Sequence, residues 1–283
     1  MKPKLAIALV LVVTSLAMIV AALVGKEAKV GYVSEAHGHQ LAAAASAQRM
    51  PVLVELFTSE GCSSCPPADE LLMQLEQTQP VEGAEVIALS EHVDYWNHLG
   101  WADPYSSAEF SKRQNDYARA LNSDEVYTPQ MIVDGRAQFV GSSLSRAREA
   151  IDNASRDSKA AVHVSLASED NGPASVTLAV RVDGSTKGRE GDSAEVLLAI
   201  AESGLRSSVS RGENAGHRLS HTAVVRKLIS LGSLNSRGGP QFVAKPEVKI
   251  DRRWNRDSLK AVVFIQEHAS RRVLGVASAP LGK

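Results

Sequence analysis

The sequence predicts an α/β domain over residues 50–157 followed by an antiparallel β-sandwich over residues 158–283. Three observations predict it. Up to about residue 157, apolar runs of strand length alternate with segments of helical period. Beyond residue 158 no long helical period remains, and short apolar or alternating runs recur between Gly, Asn, Ser and Pro clusters. The charge divides at the same place. Residues 1–157 hold 12 basic and 20 acidic residues, a net −8, and residues 158–283 hold 19 and 12, a net +7. Opposite charge on the two halves either favours their docking or marks two modules that merely differ in composition.

The 283 residues suffice for one large domain or two small ones, at ~100–200 residues each. An apolar content of 44% with 22% charged residues excludes a disordered tail, a collagen-like repeat and a disulfide-dense mini-protein. A net charge of −1 excludes a polybasic nucleic-acid binder, so no nucleic-acid partner is expected.

At the N-terminus, Lys2 and Lys4 precede an uncharged run from Leu5 to Val24. A positive start before an apolar stretch reads as an export signal. The run is longer than the ~7–15 residues of a usual signal core and just long enough to span a bilayer. Ala21-Ala22-Leu23 is a poor cleavage site, and Ala45-Ser46-Ala47, a better one, lies far from the run. Residues 1–25 therefore read as a long signal peptide or an uncut anchor, and the Ala-, Gly- and Ser-rich residues 26–49 as a linker. In both cases the rest of the chain is expected outside the cytoplasm, in a periplasmic or similar oxidising compartment. An uncut segment would tether it to the membrane.

In the α/β part, Val52–Phe57 is a strand candidate, broken by Thr58-Ser59-Glu60-Gly61. Ala68, Leu71, Leu72 and Leu75 then follow at helical spacing. Val86–Leu89 is a second strand. Ser106 with Glu109 forms a capping box for a helix to about Leu121. Met131–Val133 is a third strand, and Asp134-Gly135 a hairpin turn. Ser143 caps a helix whose apolar face is Leu144, Ala147, Ile151 and Ala154. The sandwich strands are read at 162–167, 176–182, 196–201, 224–229, 243–250, 261–266 and 273–277.

The two cysteines, Cys62 and Cys65, stand two residues apart between a strand and a helix. A thiol at a helix N-terminus is stabilised as thiolate by the dipole and the free N–H groups. Lowering a thiol pKa from ~8.5 to ~7 raises the thiolate fraction at neutral pH from about 3% to about half. Cys62, the more exposed member in such a pair, is expected to attack, and Cys65 to resolve the mixed disulfide. A purely structural staple is the bland reading, but so short a loop stabilises by only roughly 2 kcal/mol. Metal binding by the same thiols is the third reading.

The segments VLVELFTSEGCSSCPPADELL and VYTPQMIVDG resemble the thioredoxin-like fold. Together with HVDYWNHLGWADP and GENAGHRLSHTAVVR, they make residues 50–283 resemble the exported proteins of domain-of-unknown-function family 1223. The resemblance implies a thioredoxin-like first domain and export, and it names neither substrate nor partner. Thr128-Pro129 matches the position where thioredoxin-like proteins place a cis-proline opposite the cysteines, whose neighbouring peptide groups bind an extended substrate. Glu55, a carboxylate in an apolar strand, resembles the buried acid of thioredoxins. Buried, it would pass a proton to or from Cys65; strand alternation equally permits it to face solvent. Glu60 lies close to the pair, and its charge would oppose a low thiol pKa. The tryptophan that usually precedes a thioredoxin pair is missing, and Ser63-Ser64 replaces Gly-Pro.

His92–Trp101 holds two histidines, an aspartate and two tryptophans. It reads as a packed loop, a wall of a substrate groove, or, with the thiols, a zinc or copper site. Arg211–His221 reads as a Gly- and Asn-rich turn leading into a strand. The functional expectation is thiol–disulfide exchange with thiols or disulfides of other exported proteins, through Cys62 and Cys65 with Thr128, Pro129 and Glu55, and with no cofactor. The alternatives are a copper- or zinc-handling protein using the thiols with His92 or His98, and a binding module whose disulfide is structural.

Overall fold

The computed structural model describes residues 49–168, 174–184, 191–234 and 242–282. The expected export segment, and the linker up to residue 48, lie outside the described residues. Among those described, no helix is long and apolar enough to cross a membrane.

The apolar run beginning at Val52 forms β1 (Met50–Thr58), whose last seven residues are all buried. It pairs in parallel with β2 (Ala84–His92) and antiparallel with β3 (Gln130–Val133), so both its edges are occupied. The parallel pair is bridged by α1 (Pro66–Thr78), which two prolines open in its first turn, where no N–H is needed. Helix α1 ends at Gln79, whose backbone is left-handed (φ 48). The Gln79 side-chain amide donates to Val86 O at 3.0 Å, and its oxygen accepts from Val86 N at 2.7 Å, standing in for a strand neighbour.

Helix α2 (Ala108–Ala120) is capped by Ser107, whose hydroxyl accepts from Glu109 N at 3.2 Å, one residue after the expected cap. The Asp134-Gly135 turn, both residues at positive φ, joins β3 to β4 (Ala137–Val140). Helix α3 (Leu144–Ser155) buries Ala147, Ile151 and Ala154, three of the four positions its period predicts.

The expectation of an α/β thioredoxin-like domain followed by a separate antiparallel β-sandwich is corrected by the sheet. Four strands of the second half are β7 (Ala194–Glu202), β10 (Val224–Leu234), β13 (Leu259–Glu267) and β14 (Val273–Pro280). They join the first four in one mixed eight-stranded sheet, ordered β14-β13-β7-β10-β2-β1-β3-β4. The described residues hold three α-helices against fourteen strands. The two leaves of this sheet meet at a single rung, Val224 beside Ser90. They share one core, in which Val54, Leu56, Leu72 and Leu89 are clustered with Leu197, Val262, Phe264 and Val276.

On the other face of β7 and β13 lies a four-stranded sheet of β5 (Ala161–Ser168), β6 (Ser175–Asp183), β11 (Phe242–Ala244) and β12 (Glu247–Lys249). Thus β7 and β13 are covered on both sides, and all but one residue of each is buried. The physical reason for the correction is visible here. A free-standing sandwich has an alternating polar outer face. The near-continuous apolar runs at 196–201 and 261–265 belong instead to a strand buried on both faces.

Candidate functional site

Cys62 and Cys65 are joined as a disulfide, with Cα atoms 5.5 Å apart. Cys65 is the N-cap of α1 and already has helical backbone angles. Both cysteines are 0% exposed, whereas Ser63 and Ser64 face solvent. Cys62 was expected to be the open member of the pair, and it is covered.

Against the cysteine segment lies the connection between β8 (Leu205–Ser208) and β9 (Arg218–His221), a small two-stranded sheet of its own. The connection, Val209–His217, is closed at its base by Val209 N donating to His217 O and Gly216 N donating to Val209 O. Its Asn214 amide donates to Glu60 O at 2.8 Å and to Cys62 O at 3.0 Å, and Glu213 Oε2 accepts from Ser63 N at 3.1 Å. A second loop locks against it. A Cβ at Gly212 (φ 77) would lie 3.1 Å from Trp101 Cβ, so only glycine permits this approach.

Beneath the disulfide lies a buried polar cluster. Glu60, at the end of the β1 loop, accepts from Trp101 Nε1 at 2.8 Å and lies 3.1 Å from His221 Nε2. His92, the last residue of β2, places Nδ1 2.7 Å from Asp103 Oδ2, which also accepts from Glu60 N. The two imidazole rings stand 4.9 Å apart, and the Tyr105 ring packs on both. Burial alone would raise the Asp103 pKa, but His92 and the N–H groups of Glu60 and Tyr105 outweigh it and hold it below the ordinary range.

Asp69 is the acid of this cluster whose pKa is raised. It lies one turn along α1 from Cys65, and its N–H donates to Cys65 O. Residues four apart on a helix are neighbours on one face, with Cβ atoms about 5–6 Å apart. Thr58 Oγ1 donates to Asp69 Oδ2 at 3.3 Å. Burial pushes its pKa up to about 7; His221 and Thr58 pull it down, and Asp103 and Glu60 add to the rise.

The Thr128–Pro129 peptide is cis. Trp96 ties it to the cysteine segment: its indole N–H donates to Thr128 Oγ1 at 2.8 Å, and its Cβ lies 3.0 Å from where a Cβ on Gly61 would stand. Gly141 sits between Pro129 and Ala68 of α1, 3.3 Å and 3.1 Å from its would-be Cβ.

Glu55 is placed elsewhere. Along β1, Leu56 and Thr58 face α1, while Glu55 and Phe57 face α2. The Glu55 carboxylate accepts from Arg113 Nε and Nη2 at 3.0 and 2.5 Å and from the Tyr117 hydroxyl. Arg113 also reaches Glu91 at 3.2 Å and Gln266 on β13 at 2.8 Å. Burial raises the Glu91 pKa well above its ordinary value against the pull of Arg113, and Glu55 adds to the rise. So α2 binds both leaves of the sheet through a buried network, and Glu55 lies on the face of β1 turned to α2, whereas Asp69 lies on α1, the helix that Cys65 opens.

His98 is exposed and stands apart from His92, which is buried. Among the described residues, no three His, Cys, Asp or Glu side chains are grouped so as to hold a metal ion. Sequence reasoning missed Asp69, Asp103, His221, Glu213 and Asn214. The spacing from Cys65 to Asp69 was a usable signal, being one helical turn. The others arrive from distant segments.

The model of a family described as "Protein of unknown function (DUF1223)" matches residues 53–266. No curated protein matches the chain. Among solved structures, protein AGR_C_4864 from Agrobacterium tumefaciens superposes with a TM-score of 0.62 at 26% identity, covering 83% of this chain and 95% of its own. HBP35 of Porphyromonas gingivalis superposes with a TM-score of 0.63, covering 82% of this chain and 76% of its own. At 14% identity that likeness concerns the fold alone.

Proposed function

This chain belongs to the DUF1223 family, and within it we propose a thiol–disulfide exchange protein, exported from the cytoplasm, that acts through Cys62 and Cys65 on thiols of other exported proteins. One observation carries the reading: a disulfide closes at the N-terminus of α1, and a buried acid with a pKa raised to about 7, Asp69, stands one helical turn further along the same helix. A carboxyl with a pKa near neutrality can give a proton to a departing Cys65 thiolate and take it back in the reverse direction. Export rests on the Leu5–Val24 run alone.

In the reaction, a partner's thiolate attacks Cys62 Sγ. The Cys62–Cys65 bond breaks, and its electron pair leaves on Cys65 Sγ. The helix N-terminus stabilises that thiolate, and the Asp69 proton then converts it to the thiol. A second partner thiolate attacks the partner's sulfur in the mixed disulfide and releases Cys62 as thiolate. The partner is oxidised to a disulfide and the pair is reduced. In the reverse direction the Asp69 carboxylate takes the Cys65 proton, and Cys65 resolves the mixed disulfide.

The test is the reduction potential of the pair, measured by thiol trapping in glutathione or dithiothreitol buffers. A value between about −270 and −120 mV is expected, the range of working exchange proteins. A value well below about −300 mV marks a structural disulfide and removes the proposal.

A further inference from the structure

We infer that the Val209–His217 loop holds the place of a substrate: an extended polypeptide segment carrying a thiol displaces it and takes over its hydrogen bonds to residues 60–63. The inference rests on the exchange reading above.

Both sulfurs are fully covered, so no thiol reaches them in the closed form. The Val209–His217 loop lies against the segment that carries Cys62 and is held to its main chain by polar contacts. Asn214 donates to two carbonyls, Glu60 O and Cys62 O, and Glu213 accepts one N–H, Ser63 N. An extended polypeptide offers the same functions from its backbone, N–H groups to donate and C=O groups to accept. The loop thus satisfies with two side chains the groups that strand-like docking of a substrate would satisfy.

The loop is also built to leave. Of its nine residues only Val209 and Asn214 are buried. It tips a hairpin of four residues per strand that belongs to neither large sheet, so its departure breaks no rung of either. Gly212 and Gly216, both at positive φ, allow the backbone to turn on either side of Asn214. The partner class follows: a cysteine-bearing chain that is unfolded or locally extended, because only a segment whose backbone N–H and C=O groups are unpaired can take over these bonds.

The experiment compares two reductants, dithiothreitol and a reduced, unfolded polypeptide with two cysteines. Their rate constants for opening the disulfide are measured on the wild-type protein, Asn214→Ala and Glu213→Ala. Glu213 is exposed, so its removal leaves the core intact if Asn214→Ala perturbs folding. Each hydrogen bond accounts for roughly a 2- to 12-fold change in the opening equilibrium. Asn214→Ala is therefore expected to speed dithiothreitol roughly 5- to 150-fold, and Glu213→Ala roughly 2- to 12-fold. The polypeptide, which replaces the loop itself, is expected to outpace dithiothreitol on the wild type and to gain less from either variant. Equal acceleration of both reductants overturns the substrate-mimic inference. So do unchanged rates in both variants when the wild type reacts. A disulfide that resists both reductants in all three proteins overturns the exchange reading and this inference with it.

Discussion

Replacing Asp69 with asparagine isolates the stored proton. In the folded chain its pKa is raised from 3.8 to about 7, and in the unfolded chain it returns to the ordinary value. Below about pH 4 both states hold the proton. Between about pH 4 and 7 the unfolded chain has released it while the folded chain has not, so stability falls as pH rises. Above about pH 7 the contribution is gone. Three units at ~1.36 kcal/mol each make the loss about 4 kcal/mol. Asparagine keeps the shape and an acceptor for Thr58, and it carries no titration. Asp69→Asn and the wild type should therefore have similar stability near pH 4, and the variant should be about 4 kcal/mol more stable near pH 8.5. Urea unfolding of the oxidised proteins at the two pH values measures this. Other raised groups such as Glu91 are common to both proteins and cancel in the difference. A stability difference that does not change with pH would refute the argument.

Arg113→Met leaves the Glu55 and Glu91 carboxyls buried without their cation and should cost about 3–5 kcal/mol, read from the urea midpoint. Gly135→Ala drives a Cβ to 1.9 Å from the Arg271 carbonyl oxygen at a left-handed residue, and should lower the thermal midpoint by well over the ~4 °C of a mild mutation or abolish folding. Trp96→Phe removes the indole donor to Thr128 and should cost about 0.5–1.5 kcal/mol of stability. If Trp96 also sets the Thr128–Pro129 segment against the cysteines, exchange with a polypeptide should slow in that variant more than exchange with dithiothreitol.

The local elements of the first half were legible because each announces itself within a dozen residues. The Val52–Phe57 run, the Ala68–Leu75 period and the Asp134-Gly135 turn all appear where they were read. The cap of α2 was misplaced by one residue because two serines stand side by side, and only the hydrogen bond of Ser107 distinguishes them. Strands of the second half were legible as runs, but a run does not name its partner. Nothing local to 224–234 says that Val224 lies beside Ser90, and that rung turns two sheets into one. The candidate site divides in the same way. Cys62 and Cys65 carry recognisable spacing, and the Thr128–Pro129 segment was legible only through the family resemblance. Glu55 was recognised as a carboxyl in an apolar strand, but its partner Arg113 lies on a helix 58 residues away. His221 and Asn214 reach Glu60 across more than 150 residues.

The union of early and late strands in one sheet has a consequence for biosynthesis. The backbone of Val273, where β14 begins, donates to the Asp134 carbonyl at the β3–β4 turn. About 140 residues separate the two, and a ribosome adds ~5–20 residues per second, so the first four strands wait roughly 7–30 s for their cover. During that interval an apolar sheet face and the unpaired flank of β2 are open to aggregation. Such a chain gains from a chaperone that keeps it unfolded until it is complete, and one bound for translocation would meet that requirement on its route.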